Sequence, residues 1–412
     1  MPDLIIIGGG ASGLMAAIAA GREGAAVCLL EAGPRVGRKI AASGNGRCNY
    51  THRTISMDHY HTTAPYALLP AMTGFDEKAV MAFFSQVGLP PYIDDRDRVY
   101  PYARKAAMVT DALRQWALQL GVTIKTDCRV TALEGQYGAF TARGQGFAIQ
   151  GATALVACGG EAAPQLGGTT DGYRLLEGFG HQSTARYPAI CPILTEKDPI
   201  RGCQGVRWWA QATLQAGRRD LLADGELLFN EDGLSGPLAF DLAYTIGAAE
   251  SGQCKLVLDL FPDVDRDRLL AHLTDRQVSL AFRPIEDFLS GLMPKPLGLA
   301  LLRQLVQGKM TDSVAGLPAD FPDRFVKLVK AYPVQVTGLR PYRDAQVTAG
   351  GIDLADFDPD SLMSWLVPGL FACGEVLDVT GDCGGYNLQW AWASGRLAGL
   401  SAARYASEGG QL

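Results

Sequence analysis

A glycine-rich turn near the amino terminus constrains the fold of this chain more than any other feature. Gly8–Gly13 follows an apolar run at 4–7 and precedes an alanine-rich stretch at 14–20. A second apolar run at 25–30 ends at Glu31. This order of strand, glycine turn, helix, strand and acid predicts a βαβ unit whose turn binds a dinucleotide.

The spacing G-x-G-x-x-G gives each glycine a physical task. Gly8 permits the tight turn, Gly10 lets the backbone approach a pyrophosphate, and Gly13 lets the helix pack against the strand. Glu31 can accept hydrogen bonds from a ribose diol and would repel a 2′-phosphate, which favours FAD or NAD over NADP. A glycine turn in an ordinary βαβ unit is the alternative. The predicted contacts here are Gly8, Gly10, Ala11, Ser12, Gly13, Glu31 and Ala32.

Composition and charge argue against several classes of protein. The uncharged run at 4–21 is long enough to suggest a membrane span, but five glycines interrupt it and no basic segment precedes it, so we expect neither a span nor a signal peptide. The net charge of −6 does not indicate the basic surface with which proteins bind nucleic acid. The nine scattered cysteines predict reduced thiols in a cytoplasmic protein, and no metal-ligand pattern is present in the sequence.

Periodicity predicts a discontinuous domain organisation. Apolar spacing indicates helices at 75–87, 106–120 and 387–405, and 33–52 is expected to be a loop. Short apolar runs between turns begin near Pro192 and indicate a separate β unit. The prediction is a cofactor domain at 1–190 and 334–412 and an insert at 191–333, with a β part at about 191–262 and a helical part at about 263–333.

A basic island lies close in sequence to the predicted pyrophosphate site. Five cations occur with no acid between positions 31 and 58, namely Arg35, Arg38, Lys39, Arg47 and Arg53. Charge alone fits a solvated loop equally well. The two glycines and two asparagines within 43–49 favour a backbone that wraps a ligand through its amides. The predicted contacts are Arg38, Lys39, Ser43, Gly44, Asn45, Arg47, Cys48 and Asn49.

Further glycine turns follow apolar runs at 152–157 and 369–373. The acid of Gly374-Glu375 can bind ribityl hydroxyls, and the helix that opens at Gly384–Asn387 can direct its positive end at a flavin. A solvated turn and an ordinary capped helix are the alternatives. The predicted contacts are Gly159, Gly374, Glu375, Gly384, Gly385, Tyr386 and Asn387.

No catalytic acid or base is identified from the sequence. Arg47 and Tyr386 are candidates for groups beside the flavin ring. Cys48 and Cys383 lack a partner at C-x-x-C spacing, and we interpret them as packing residues. Three histidines, His52, His59 and His61, have neither metal spacing nor a paired acid, and we interpret them as surface residues.

Taken together, the motifs resemble those of the BaiN-like or YhiN-like flavoproteins, also called aminoacetone-oxidase-family FAD-binding enzymes. The resemblance covers nearly the whole chain and is most specific at 37–49, 233–237, 347–352 and 368–395. It implies an α/β fold, with a discontinuous glutathione-reductase-type FAD/NAD(P)-binding Rossmann-like domain and an inserted β-barrel-like plus helical domain. It also implies that Val130 lies by the adenine. Cys383 stands where the family pattern has threonine.

The resemblance and the residues together predict an FAD-dependent oxidoreductase of undefined substrate that transfers two electrons through flavin N5. A second G-x-G-x-x-G is absent from the sequence, so NAD(P)H is expected only as a transient donor, and the substrate is expected to be a small molecule. An NAD-dependent dehydrogenase and a non-catalytic flavin-binding sensor are the alternatives. Net acidity disfavours a flavoenzyme that acts on RNA.

Overall fold

The computed structural model describes residues 1–196, 202–216, 219–249 and 254–410. Two compact units form, Met1–Tyr187 with Gln346–Leu412, and Pro188–Ala345. The helices, numbered along the chain, are α1 (Ala11–Arg22), α2 (Arg38–Gly46), α3 (Leu69–Gly74), α4 (Glu77–Gln86), α5 (Ala106–Gln119), α6 (Asp171–Glu177), α7 (Pro237–Ala248), α8 (Arg266–Ser279), α9 (Lys295–Leu302), α10 (Phe321–Lys330) and α11 (Tyr386–Ser407). Short 3-10 helices lie at Met57–His59, Pro65–Leu68, Pro164–Leu166, Ile285–Asp287, Val314–Gly316, Tyr342–Asp344, Leu354–Asp356 and Gly374–Val376.

The strands are numbered in the same way. They are β1 (Leu4–Ile7), β2 (Val27–Leu30), β3 (Thr51–His52), β4 (Tyr60–His61), β5 (Pro91–Ile93), β6 (Arg98–Pro101), β7 (Thr123–Lys125), β8 (Val130–Glu134), β9 (Phe140–Gly144), β10 (Phe147–Gly151), β11 (Thr153–Val156), β12 (Tyr187–Ala189), β13 (Ile193–Thr195), β14 (Arg207–Ala216), β15 (Arg219–Phe229), β16 (Gly233–Ser235), β17 (Cys254–Asp259), β18 (Tyr332–Val334), β19 (Val336–Leu339), β20 (Val347–Ala349), β21 (Leu370–Ala372) and β22 (Thr380–Gly381).

A five-stranded parallel sheet organises the first unit, in the order β21-β11-β1-β2-β7. The four residues of β1 are all buried, as are those of β2 and β11, because helices cover a parallel sheet on both faces. Parallel strands end at the same edge of the sheet. The turns that follow β1, β2, β11 and β21 therefore meet there, although they come from both ends of the chain.

Helix α11 joins the end of the chain to its beginning by packing on α1. A Cβ atom on Gly395 would lie 2.4 Å from the Ser12 carbonyl oxygen, and one on Gly399 would lie 2.3 Å from that of Ala16. Side chains larger than hydrogen at these two positions would force the helices apart. The small residues of α11 thus permit the close approach that unites the two segments of the unit.

The structure corrects the expected loop at 33–52. Residues Arg38–Gly46 form α2, whose helical geometry breaks at Ser43, Gly44 and Asn45 before the chain continues into β3. The helices predicted at 75–87 and 106–120 are present as α4 and α5. The uncharged run at 4–21 forms β1 and most of α1. Within the described residues, no helix is long and apolar enough to cross a membrane.

A seven-stranded antiparallel sheet forms the second unit, in the order β18-β17-β14-β15-β16-β13-β19. Helix α7 lies within the segment expected to be only β. Strands β18 and β19 pair with β17 and β13, so residues 334–345 belong to this unit and not to the cofactor domain. Main-chain pairing therefore places the boundary after residue 345, whereas the strand pattern of the sequence predicted it after residue 333.

Candidate functional site

The glycine turn between β1 and α1 has the shape that its spacing predicts. Gly8 has a φ of 110°, and a Cβ atom there would lie 2.4 Å from the Ala157 carbonyl oxygen. A Cβ on Gly13 would lie 1.9 Å from the carbonyl oxygen of Gly8. A Cβ on Gly10, by contrast, would meet nothing within 4 Å. Two glycines are therefore required by packing, while the third faces open space at the positive end of α1.

Glu31 closes one side of this turn. Its two carboxylate oxygens accept hydrogen bonds from the Gly9 amide at 2.8 Å and the Gly33 amide at 2.7 Å. The amide of Cys128 donates to the Glu31 carbonyl at 2.9 Å, which brings the start of β8 and the buried Val130 close to this side. Ala32 is exposed beside them.

Glu375 and Lys39 close the other side. The Lys39 ammonium lies 2.7 Å from Glu375 Oε2, and Glu375 Oε1 accepts from the Thr348 amide at 2.8 Å. A Cβ on Gly159 would lie 3.6 Å from Glu375 Oε2, and one on Gly374 would lie 2.4 Å from Ser12 Oγ. The turns after β11 and β21 therefore border the start of α1. Arg38, next to Lys39, donates to the Gln165 carbonyl at 2.6 Å.

In the second half of α2 the backbone departs from helical geometry. Gly44 and Asn45 both have a φ near 55° (56° and 55°), and Cys48 has a φ of 60°. Burial raises the pKa of the Cys48 thiol to about 12, against a weaker lowering by Ser43, so this cysteine packs as an unreactive group. The guanidinium of Arg47 lies 5.2 Å from the ring centre of Tyr100.

The Asn49 side chain lies between this segment and the start of α11. Its Oδ1 atom is buried and has no hydrogen-bond partner in the described part of the protein. A Cβ on Gly385 would lie only 3.0 Å from this oxygen and 2.6 Å from the backbone of Thr51. A buried acceptor without a donor is costly, so the position favours a ligand that carries an N–H or O–H group.

The loop before α11 is held by its own side chains. Asn387 accepts from the Gly381 amide at 2.8 Å and donates to the Gly381 carbonyl at 2.6 Å. Gly384 and Gly385 have φ values of 138° and 106°, which side chains rarely tolerate. The Tyr60 hydroxyl donates to the Tyr386 carbonyl at 2.9 Å. The predicted residues of this loop therefore lie beside 49–52 and 59–61.

Sequence reasoning missed an acid–histidine cluster at the same place. Asp382 accepts from His59 and His61, which corrects their interpretation as surface residues without a paired acid. The acid is 323 positions away from His59, so no local spacing could reveal it. The only sequence signal was the presence of three histidines within 52–61.

A second acid–histidine group is buried away from any turn of the site. His181 lies 3.2 Å from Asp356 and 2.9 Å from Ser364 Oγ, which also accepts from the Leu366 and Val367 amides. The order serine, histidine, acid matches a hydrolytic triad, but His181 and Ser364 are each only 1% exposed. We assign a structural role to His181, Asp356 and Ser364, because no substrate can reach the buried histidine and serine.

In the described ranges, no group of three or more His, Cys, Asp or Glu side chains is placed to hold a metal ion. The nine cysteines form no disulfide bond in the described part of the chain, and Cys383 is the exposed one. The profile of one family, described as HI0933-like protein Rossmann domain, matches residues 2–401. This chain belongs to the HI0933-like family.

Named relatives of this HI0933-like protein are similar over nearly their whole length. A 3-dehydro-bile acid delta(4,6)-reductase from Clostridium scindens is 34% identical over 405 residues, which cover 97% of this chain and 98% of the relative. A ribosomal RNA dihydrouridine synthase from Escherichia coli is 28% identical, with 95% of this chain and 96% of the relative covered. The recognition as a BaiN-like or YhiN-like flavoprotein is confirmed.

One solved structure shares the fold of this HI0933-like protein at low identity. The 3-ketosteroid delta1-dehydrogenase from Sterolibacterium denitrificans is 14% identical, with a TM-score of 0.51 and coverage of 98% of this chain and 99% of that protein. The α/β fold class with a Rossmann-like parallel sheet is confirmed, and so is the enzyme class of an oxidoreductase.

Proposed function

We propose that this protein binds FAD and reduces a carbon–carbon double bond that is conjugated to a carbonyl group in a small molecule. The observation that carries the cofactor assignment is the open space in front of Gly10 at the start of α1. Glu31 borders it on one side and the Lys39–Glu375 pair on the other. This arrangement supports a diphosphate at the helix terminus, where free N–H groups and the helix dipole favour anions.

The residues of the site fit the three parts of FAD. Glu31 and Val130 would hold the adenosine end, and Lys39 and Glu375 would hold the middle of the molecule. The unpaired Asn49 Oδ1 supports a donor at the far end, where the flavin ring carries an N–H group. The proposed contacts are Gly8, Gly10, Ala11, Ser12, Gly13, Glu31, Ala32, Arg38, Lys39, Ser43, Gly44, Asn45, Arg47, Cys48, Asn49, Val130, Gly159, Gly374, Glu375, Gly384, Gly385, Tyr386 and Asn387.

FAD, when bound, supplies two-electron hydride chemistry through its N5 atom. The protein supplies charge and position. The amino-terminal end of α11, a helix of 22 residues, directs a partial positive charge toward the loop at Gly384-Gly385. That field stabilises negative charge on a reduced ring or on a substrate oxygen. Asn387 fixes this end by bridging both main-chain groups of Gly381.

The names of the relatives support the substrate class. One relative is named a 3-dehydro-bile acid delta(4,6)-reductase and another a ribosomal RNA dihydrouridine synthase. A 3-oxo-4,6-diene steroid and a uracil ring each contain a ring double bond that is conjugated to a carbonyl. Such a bond accepts hydride because the carbonyl oxygen takes the charge. A small molecule is favoured over RNA because the net charge is −6 and two of the five cations of the basic island form ion pairs within the protein. Lys39 bonds Glu375 and Arg53 bonds Asp97.

The test is anaerobic flavin spectroscopy of the purified protein. We expect about one FAD for each chain, bleaching of the visible flavin band by NADH, NADPH or dithionite, and its return with a 3-oxo-4,6-diene steroid as the acceptor probe. A colourless protein that binds NAD but not FAD would instead be a dehydrogenase. Bound FAD that no conjugated carbonyl reoxidises would indicate a sensor, and reoxidation only by uridine-containing RNA would move the substrate class to nucleic acid.

A further inference from the structure

A short two-stranded pairing brings two histidines to one carboxylate. Strand β4 pairs with β22 so that His61 lies opposite Thr380 and Tyr60 lies opposite Gly381. Asp382 follows β22 directly, and its amide donates to the His59 carbonyl at 3.0 Å. His59 Nδ1 lies 2.9 Å from Asp382 Oδ2, and His61 Nε2 lies 2.8 Å from Oδ1. Each carboxylate oxygen thus has one imidazole.

The two imidazoles use different nitrogens. His61 meets Asp382 through Nε2, so the tip of its ring points at the acid. His59 meets Asp382 through Nδ1, which leaves the tip of its ring, Nε2, turned away from the acid, and its side chain is 45% exposed. Of the two, only His59 is therefore oriented to present Nε2 to a bound molecule. A carboxylate on Nδ1 is the arrangement that orients a histidine for proton transfer at Nε2.

The cluster lies at the end of the site where the flavin ring is proposed. The rings of His59 and Tyr386 stack with centres 4.5 Å apart, and Tyr386 is the first residue of α11. Asp382 is followed by Cys383, Gly384 and Gly385, and a Cβ on Gly385 would lie 2.6 Å from the Thr51 backbone and 3.0 Å from Asn49 Oδ1. His59 therefore borders the loop at 382–385. The same loop contacts Asn49, whose buried Oδ1 has no hydrogen-bond donor among the described residues.

Asp382 remains a carboxylate at neutral pH. Burial raises its pKa, but the hydrogen bonds from His61 and His59 outweigh burial and hold the pKa below its usual value. The titratable groups near His59 include its chain neighbour Asp58, whose carboxylate accepts from Ser56 Oγ at 2.9 Å. They also include His61, His52, Tyr60 and Tyr386. Burial keeps the Tyr60 phenol neutral by raising its pKa well above the usual value. Asp382 is thus the anion that faces the His59 ring.

We propose that His59 protonates the substrate, and that Asp382 and His61 position it for this step. The inference rests on the proposed function. As the double bond would accept a hydride from reduced FAD at one carbon, the Nε2–H bond of the His59 imidazolium breaks and a C–H bond forms at the carbon beside the carbonyl, which leaves a neutral imidazole with its proton on Nδ1. The substrate gains two electrons and two hydrogens, anionic reduced FAD (FADH⁻) is the reductant and becomes oxidised FAD, and the neutral imidazole recovers its proton from solvent.

The first test separates flavin reduction from substrate reduction. In the His59→Gln holoenzyme we expect FAD content and reduction by dithionite to be unchanged, while reoxidation by the 3-oxo-4,6-diene steroid slows by about 100-fold or more. In the wild-type protein that reoxidation should decline as the pH rises, and this dependence should disappear in the variant. His272→Gln, at an exposed position in the second unit, is the control and should reoxidise like the wild type.

The second test does not depend on turnover. With only five histidines, ¹⁵N-labelled imidazole signals can be assigned by single substitutions. The neutral His59 ring should carry its proton on Nδ1 in the wild-type holoenzyme, and Asp382→Asn should change that tautomer distribution. Reoxidation at the wild-type rate in His59→Gln, or a proton on Nε2 of neutral His59, would overturn the proposal. Wild-type protein that no conjugated carbonyl reoxidises would contradict the proposed function instead, and the tautomer would still decide the role of Asp382.

Discussion

Lys39 and Glu375 form an ion pair at 2.7 Å, although 336 positions separate them in the chain. Lys39 lies in the first turn of α2, and Glu375 lies in the turn that follows β21. Their side chains are 30% and 21% exposed, so solvent screens the pair only partly. The pair therefore ties the carboxyl-terminal segment to the amino-terminal half of the proposed cofactor site.

A double-mutant cycle should detect this link. We expect Lys39→Met and Glu375→Gln each to lower the free energy of unfolding, and the double variant to lose less than the sum, with a coupling of about 1 kcal/mol. Urea unfolding of the four apoproteins measures the coupling. Strict additivity would mean that the pair contributes nothing to joining the two segments.

Substitutions at two nearby glycines of the turn should have different effects, one on cofactor affinity and the other on the stability of the fold. Gly10→Ala places its Cβ in open space, so the apoprotein should unfold at the wild-type temperature, while the Kd for FAD should rise about tenfold or more because the methyl group meets the diphosphate. Gly13→Ala places its Cβ 1.9 Å from the Gly8 carbonyl oxygen and should destabilise the fold itself.

Thermal melting and fluorescence titration with FAD distinguish the two effects. The matched control is Gly316→Ala, in the second unit, where a Cβ also meets nothing within 4 Å. It should leave both the melting temperature and the FAD affinity near their wild-type values. Normal FAD affinity in Gly10→Ala would place the diphosphate elsewhere.

The first βαβ unit could be predicted because its determinants are local. Two apolar runs, three spaced glycines and Glu31 all lie within 31 residues, and each has a direct physical reason in the folded turn. The break in α2 was harder to predict. Arg38 begins a helix, but Gly44 and Asn45 adopt positive φ, and the loop expectation reflected their composition rather than the helical residues before them.

Contacts between distant segments set the limit of the sequence analysis. The His59–Asp382 pair depends on the pairing of β4 with β22, and each of these strands has only two residues. Strands that short carry no periodicity that could be recognised. The boundary near residue 345 was placed too early for a similar reason, because β18 and β19 look like any other strands until their partners β17 and β13 are known.

Stability should depend on pH through His181. Burial lowers the pKa of this imidazole, and Asp356 offsets only part of the effect. The folded protein therefore holds His181 neutral, while the unfolded chain takes up a proton below about pH 6.5. The contribution of His181 to stability is complete above that pH and is lost as the pH falls toward the folded-state pKa, with a slope of at most about 1.4 kcal/mol per pH unit.

Urea unfolding between pH 7.5 and 5 would measure this dependence (a range of about two units around the usual histidine pKa). We expect His181→Gln to be less stable at neutral pH and to lose less stability than the wild type on acidification. The exposed His272 provides the control, since His272→Gln should keep the wild-type slope. Parallel slopes for the wild type and His181→Gln would mean that His181 is protonated in the folded protein.

Cys383 should report directly on occupancy of the loop before α11. It is the exposed thiol of the nine, whereas burial raises the pKa of Cys48 and of Cys373 to about 12 and leaves both unreactive. We expect iodoacetamide to modify Cys383 in the apoprotein about tenfold faster than the partly buried Cys254. Bound FAD should slow the modification of Cys383 and leave that of Cys254 unchanged, because Cys254 is not among the proposed cofactor contacts. Peptide mass spectrometry over a time course measures both rates, and Cys383→Ser identifies the fast site. Equal rates for Cys383 with and without FAD would remove the 383–387 loop from the cofactor site, and with it the place proposed for His59.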